Sequence, residues 1–392
     1  MTLNHCFKVR SLILAAALIS GLGLVTHAAA QEQRALLVDL NTRTVTDLGP
    51  LGAQYTYANG INDAGHVVGF FYLPEDYNGH AFITGPDGRG MTELDTLGVS
   101  GSWAYDINDA GQVVGEAHAP TFSRHAFITG ANGTGMRDLG ALGGDDSVAY
   151  GINDTGQVVG GSSTEPFGEG AYHAFITGPN GMGMRDLGAL GRDYSYASAI
   201  NNAGQVVGVY SDSFTGYKSA FITGPDGVDM RDLGSLGGDY TYAHDINDIG
   251  QAVGESVFDV DTSRAFITGS NGGAMKDLGT LGGDLSRASA INDVGQVVGS
   301  STIADGHWHA FITGPNGEDM KDLNSLIDLP EAVILTEAID INNNGQLVVM
   351  GVVPEPETYA LMLVGLTLVG FIAHRKKAEN PGWRNKSLPL TA

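Results

Sequence analysis

The residues whose types suit chemistry are histidines, acids and aromatic rings, and most of them recur along the chain. Histidine opens a His-Ala-Phe triplet at His80, His125, His173 and His309, where a column of imidazoles would suit a metal. Ser219 and Arg264 take the same place in two other copies, which argues against a repeated ligand. His307 and His309 are the nearest approach to a ligand pair, yet His309 already belongs to the column. An Asn-Asp or Asn-Asn pair follows Ile seven times and suggests calcium. Asx turns use the same residues to bond their own backbone, however, and no pair opens the spaced ligand series of an EF-hand loop. Asp145, Asp193, Asp239 and Asp284, in the connections between copies, are better metal candidates, and calcium is the one cofactor the sequence leaves open.

Rings and carboxylates also occur together on segments that differ between copies. Examples are Tyr72, Glu75, Asp76 and Tyr77; Glu165, Phe167, Glu169 and Tyr172; Tyr210, Asp212, Phe214 and Tyr217; and Asp305, His307 and Trp308. Rings stack on sugar faces and acids accept hydrogen bonds from hydroxyls, so Tyr77, Glu169, Tyr172, Tyr217 and Trp308 are expected on loops that bind a glycan or another matrix component. No nucleophile elbow, metal-ligand His spacing or isolated acid pair stands outside the repeat pattern, and the chain is expected not to be an enzyme.

One repeated unit must position all of these. Ser147 to Gly191 is a full copy, and its Ile-Asn signature recurs at Ile61, Ile107, Ile152, Ile200, Ile246, Ile291 and Ile341, spaced by 46, 45, 48, 46, 45 and 50 residues. Four short apolar or β-branched runs make up the copy, each punctuated by Gly, Asn, Asp or Pro. Segment A (Ser147 to Ile152) turns at Asn153-Asp154-Thr155-Gly156 into segment B (Gln157 to Gly160). Segment C (His173 to Gly178) turns through Pro179-Asn180-Gly181 into segment D (Met184 to Leu190). The unit is a four-stranded antiparallel meander, and its length is that of a β-propeller blade.

The chain enters the array with a C-D pair, Ala35 to Leu40 and Val45 to Leu48, and leaves it with an A-B pair, Thr336 to Ile341 and Gln346 to Val349. The expectation is an all-β chain folded as a seven-bladed β-propeller of four-stranded antiparallel blades, closed by pairing these N-terminal and C-terminal half-blades. A single β-sandwich and a β-helical solenoid are the other readings. The third position of segment A is Ala in all seven copies, while Tyr57, Trp103, Val148, Tyr196 and Tyr242 fill the second position and Ile the sixth. Strict alternation then predicts a small face carrying the Ala and a large face carrying the second-position residue and the Ile. Glycosidases on propellers place paired carboxylates on the loop face, so the alternative function is that of a glycan-active hydrolase.

The ends carry processing signals. Lys8 and Arg10, the apolar run Ser11 to Val25 and Ala28-Ala29-Ala30 read as a signal peptide for the secretion machinery. The one cysteine, Cys6, lies inside it, so the exported product is expected to have no disulfide. Residues 31 to 357 hold 13 basic against 43 acidic residues, a net charge of −30, and nucleic acid is not an expected partner. At the far end Val353-Pro354-Glu355-Pro356-Glu357 precedes the apolar stretch Thr358 to Ala373 and the bases Arg375, Lys376 and Lys377.

This layout resembles the PEP-CTERM sorting signal of Gram-negative bacteria. The resemblance implies recognition through Pro354, Glu355, Pro356 and the three bases by a membrane exosortase, with transient membrane insertion before cleavage. It also implies a surface or extracellular location in an exopolysaccharide-rich matrix. The tail from Ala378 to Ala392 departs from that pattern. The His-Ala-Phe triplets, with Asp-Leu-Gly and Ile-Asn-Asp-x-Gly-Gln-Val-Val-Gly around them, resemble the HAF family of extracellular repeats, which carries over no catalytic residue. The expected organisation is a signal peptide over 1–30, the repeat domain over 31–352, the sorting signal over 353–377 and a tail over 378–392. The expected role is a non-catalytic structural or binding component of the extracellular polysaccharide matrix.

Overall fold

The computed structural model describes residues 31–49, 55–120, 123–166, 171–213, 216–329 and 333–354. The signal peptide, Glu169, Glu355, Pro356, Arg375, Lys376, Lys377, the apolar stretch 358–373 and the tail lie outside them. Among the described residues no helix is long and apolar enough to cross a membrane.

The described residues are all-β apart from single 3-10 turns. In the copy that holds Ile152 the strands are Ser147–Ile152, Val158–Ser163, Tyr172–Gly178 and Met182–Gly188, paired in sequence order and antiparallel. The A-B turn forms because Asn153 Oδ1 accepts the Gln157 N–H at 3.0 Å and Gly156 takes φ 75°. A Cβ on Gly156 would also stand 2.8 Å from the Asn180 backbone nitrogen, so the position excludes side chains twice over. Behind it, Thr177 Oγ1 accepts the Val158 N–H at 2.9 Å and ties segment C to the turn. The D strand is the thinnest element, shrinking to Thr92–Glu93, Arg137–Asp138 and Arg231–Asp232 in three copies.

Three sheets have four strands and two have eight. Each eight-stranded sheet is two meanders joined at one parallel bridge, Tyr172 to Tyr194 or Ser263 to Leu285. The chain's two ends share a sheet, in the order Thr44–Asp47, Gln31–Asp39, Gln346–Pro354, Ile334–Ile341.

The apolar core consists of layers between neighbouring copies. Val114, Ala126 and Ile128 of the second copy, for example, pack on Ala149, Ile152, Val158 and Phe175 of the third. Likewise Ala35, Leu37, Leu48 and Val348 pack on Ala58, Ile61, Val67, Phe71 and Phe82 of the first copy. The Phe of each His-Ala-Phe or equivalent triplet, Phe82, Phe127, Phe175, Phe221, Phe266 and Phe311, is 0% exposed in these layers. Truncating one to Ala would cost about 3–5 kcal/mol.

Strict alternation in segment A fails. A β-bulge follows the third position in every copy, as between Ala149 and Gly151, Ala104 and Asp106, or Ala338 and Asp340. The extra residue turns the chain by one side, so the sixth-position Ile joins the third-position Ala in the same core layer. The second-position rings do not share the Ile face. Tyr57 is 38% exposed, and Trp103, Tyr196 and Tyr242 are half-buried.

Candidate functional site

The histidine column is structural. His125, His173 and His309 each place Nδ1 2.7 to 2.8 Å from a carboxylate thirteen residues on, at Asp138, Asp186 and Asp322. His80 does the same with Glu93 at 2.7 Å. Asp138 and Asp186 belong to Asp-Leu-Gly and Asp322 to Asp-Leu-Asn, and the other oxygen accepts the N–H two residues on, as Asp186 does from Gly188 at 2.6 Å and Asp322 from Asn324 at 2.9 Å. The pair therefore pins the thin D strand to segment C. Where Ser219 replaces the His, the Tyr210 hydroxyl reaches the equivalent Asp232 instead.

At the A-B turns, hydrogen bonds run from copy to copy. The backbone N–H of Asp63 donates to Asp109 Oδ1, Asp109 to Asp154, Asp154 to Asn202, Asn202 to Asp248, Asp248 to Asp293, Asp293 to Asn343 and Asn343 back to Asp63, at 2.8 to 3.0 Å. These turns surround a cavity of about 170 Å³ lined by the Ile, Asn and Asp or Asn of all seven copies. Further out, Arg137, Arg185 and Arg231 donate to the backbone carbonyls of Asn180, Asp226 and Asn271 in the next copy. The turn polar groups are thus largely consumed in holding copies together.

Below the turns, the fifth position of segment A is Asp in three copies. Asp106 Oδ1 accepts the Ile107 N–H at 2.7 Å and Oδ2 accepts Ile152 N–H of the next copy at 2.9 Å. Asp245 bridges Ile246 and Ile291, and Asp340 bridges Ile341 and Ile61, in the same way. Each keeps some open surface yet is packed round by protein. That burial, then repulsion among the three, raises Asp106 to about 8 and Asp340 to about 7, and burial raises Asp245 as well.

Away from the turns, rings and charged groups of different copies come together. Tyr105 lies 5.5 Å from Tyr150, and Tyr150 lies 6.4 Å from Tyr196, so rings from three successive copies adjoin. Buried Glu116 accepts from the Tyr105 hydroxyl at 3.1 Å and from Arg124 at 3.0 Å. Burial, with the Glu116 charge second, holds the Tyr105 hydroxyl well above its ordinary range. Tyr172 stands near this group, its hydroxyl likewise raised by burial and then by Tyr150 and Glu116. Trp308, 40% exposed, lines a cleft of about 610 Å³ spanning the last three copies, beside Glu255, Asp259, Val260, Arg287 and Glu337. Tyr217 stacks on Tyr240 with centroids 5.6 Å apart, and Tyr77 is 94% exposed on its loop. The loop residues therefore divide among several places and do not form one site.

Asp145, Asp193, Asp239 and Asp284 are all exposed, the first three in different connections and Asp284, against expectation, inside the strand Gly282–Ile291. Asp193 accepts from Ser213 N–H and Oγ, which lowers its pKa. Among the described residues no three His, Cys, Asp or Glu side chains gather as a metal would require. Glu116, Glu255, Arg287 and the buried aspartates escaped the sequence reading because they sit inside strands. Their one visible signal is a charged side chain in a column that is mostly apolar or small.

With this geometry in hand, the comparisons assign the class. The β-propeller domain of the trilobed protease from Pyrococcus furiosus, described as having an open velcro topology, is 9% identical, with a TM-score of 0.51 over 74% of this chain and 89% of that one. A protein provisionally described as TolB from Agrobacterium tumefaciens is 12% identical (TM-score 0.47; 72% of this chain, 98% of that one). Oligogalacturonate lyase from Vibrio parahaemolyticus is 10% identical (TM-score 0.48; 83% and 97%). The fold is that of a β-propeller. Residues 352–376 match the PEP-CTERM protein-sorting motif, which implies export, membrane-anchored sorting and processing by an exosortase. No curated protein matches the chain.

Proposed function

We propose that the chain closes as a seven-bladed propeller and serves, after export and sorting, as a non-catalytic glycan-binding component of an extracellular polysaccharide matrix. Closure is supported by the shared sheet of the two ends, by the cavity that all seven copies line and by the hydrogen bond from Asn343 to Asp63. The surroundings fit the HAF-type extracellular repeats that the His-Ala-Phe triplets resemble. The observation that carries binding is the contrast between ends. Turn polar groups are tied up between copies, whereas the other end offers half-exposed rings beside carboxylates, the chemistry that stacks on sugars and accepts their hydroxyls. A glycan-array screen of the exported protein, with and without calcium, tests this. Retention of a sugar without turnover is expected, turnover would move the protein to the hydrolase alternative, and no retention would leave a purely structural role.

A further inference from the structure

The cleft of about 610 Å³ is of the size that holds a small ligand, and its lining is chemically lopsided. Glu255, Asp259 and Glu337 face it with a single guanidinium, Arg287, and that guanidinium is already paired with Glu337. Among the described residues the basic group paired with Glu255 is the His244 ring, at 3.8 Å, and Asp259 accepts the Asp261 N–H of its own turn at 2.9 Å. Two carboxylates are therefore without a strong cation. Beside them the half-exposed indole of Trp308, with Val257, Val260 and Leu285, supplies an apolar wall.

Resting on the glycan-binding reading above, we propose that this cleft takes saccharides bearing free amino groups, the units of a deacetylated amino-sugar polymer. The sugar's C–H face stacks on Trp308 while its ammonium lies against Glu255, where a charge-assisted bond outweighs what a neutral hydroxyl offers. Uronate or sulfated polymers meet the wrong sign, both in the cleft and across residues 31–357, whose net charge is −30.

The test is calorimetric titration of the exported protein at pH 6 with three tetrasaccharides: glucosamine, N-acetylglucosamine and galacturonate. The glucosamine tetramer should bind at least about tenfold more tightly than its acetylated counterpart, and its affinity should fall with added salt. Glu255→Gln should cut glucosamine binding about tenfold and leave the acetylated tetramer unchanged. Val260 is 92% exposed, so Val260→Arg places a cation at the lip without disturbing the core and should have the same selective effect. Equal or tighter binding of the acetylated or galacturonate tetramer in a Trp308-dependent manner overturns the amine preference while the glycan reading stands. Loss of selectivity effects in both variants overturns it too, and failure of every saccharide to bind overturns both.

Discussion

The backbone N–H of Asn343 donates to Asp63 Oδ1 at 2.8 Å, across 280 residues of chain. Asn342 Nδ2 donates to Asn62 O at 2.9 Å beside it, and Asp340 accepts the Ile61 N–H, so three residues within four positions of the last copy bond the first. Each contact repeats one found between sequence neighbours, such as Asp109 to Asp154 or Asn108 to Asn153.

The closure proposed above would depend on the strands at the two ends of the repeat array. Deleting residues 31–49 removes two strands from the shared sheet and bares the edge of Gln346–Pro354. The thermal transition of the deleted protein should broaden and the protein should self-associate in gel filtration. A sharp, unshifted melt of a monomer would count against a closed ring.

Much of this was legible beforehand, because a period near 46 residues marks each hairpin with Asn, Asp, Gly and Pro, whose conformational demands are local. Ala149 and Ile152 show where legibility ended. A bulge between them depends on how segment B approaches, since a Cβ on Gly160 would come 1.9 Å from Val148 O, and no alternation rule carries that contact. The site was harder for a related reason. Trp308 stood out as an exposed ring on a variable loop, but its neighbours Glu255 and Arg287 come from other copies, and only the packing of copies brings them to one cleft.

The buried aspartates set a pH dependence of definite sign. Asp106, near 8 when folded, and Asp340, near 7, keep protons that the unfolded chain releases at about 4. The folded state binds more protons between those limits, so stability falls as pH rises from about 4 through 8. Repulsion from Asp63 and Asp293 reinforces the effect and His244 opposes it. Melting temperature should be lower at pH 8.5 than at pH 5.5. Asp106→Asn loses one accepted bond and is less stable throughout, but its slope across this range should be shallower. A wild-type melting temperature that rises over the range would contradict the assignment.

The His173 and Asp186 pair should matter modestly, since Asp186 is 44% exposed in its side chain and water screens it. His173→Ala is expected to cost about 0.5–1 kcal/mol in urea unfolding. Asp186→Ala should cost more, because it also frees the Gly188 N–H. If both variants unfold at the wild-type midpoint, the pair does not pin the D strand.

The sorting motif over 352–376 predicts a mature product that ends near Pro356. Mass spectrometry of protein recovered from the cell surface gives the answer directly. Released protein that still ends at Ala392 would show that the motif is not processed in this chain.

The rings at the loop end should differ in weight. Tyr77 is 94% exposed with nothing stacked on it, Tyr217 lies against Tyr240, and Trp308 walls the cleft. Trp308→Ala should weaken glycan retention most, Tyr217→Ala should cost about 0.5–1.5 kcal/mol of ring stacking, and Tyr77→Ala should leave the melting temperature untouched. Controls belong on the opposite end, but Asn180 and Asn316 hold φ of 54° and 57°, so replacing them strains the backbone. Met182 follows the Asn180 turn and Val228 the equivalent Asp226 turn, at 64% and 49% exposure with φ of −90° and −93°, and Ala at either should change neither folding nor binding. Retention lost equally from Met182→Ala and Trp308→Ala would mean that sugar is not bound at the loop end at all.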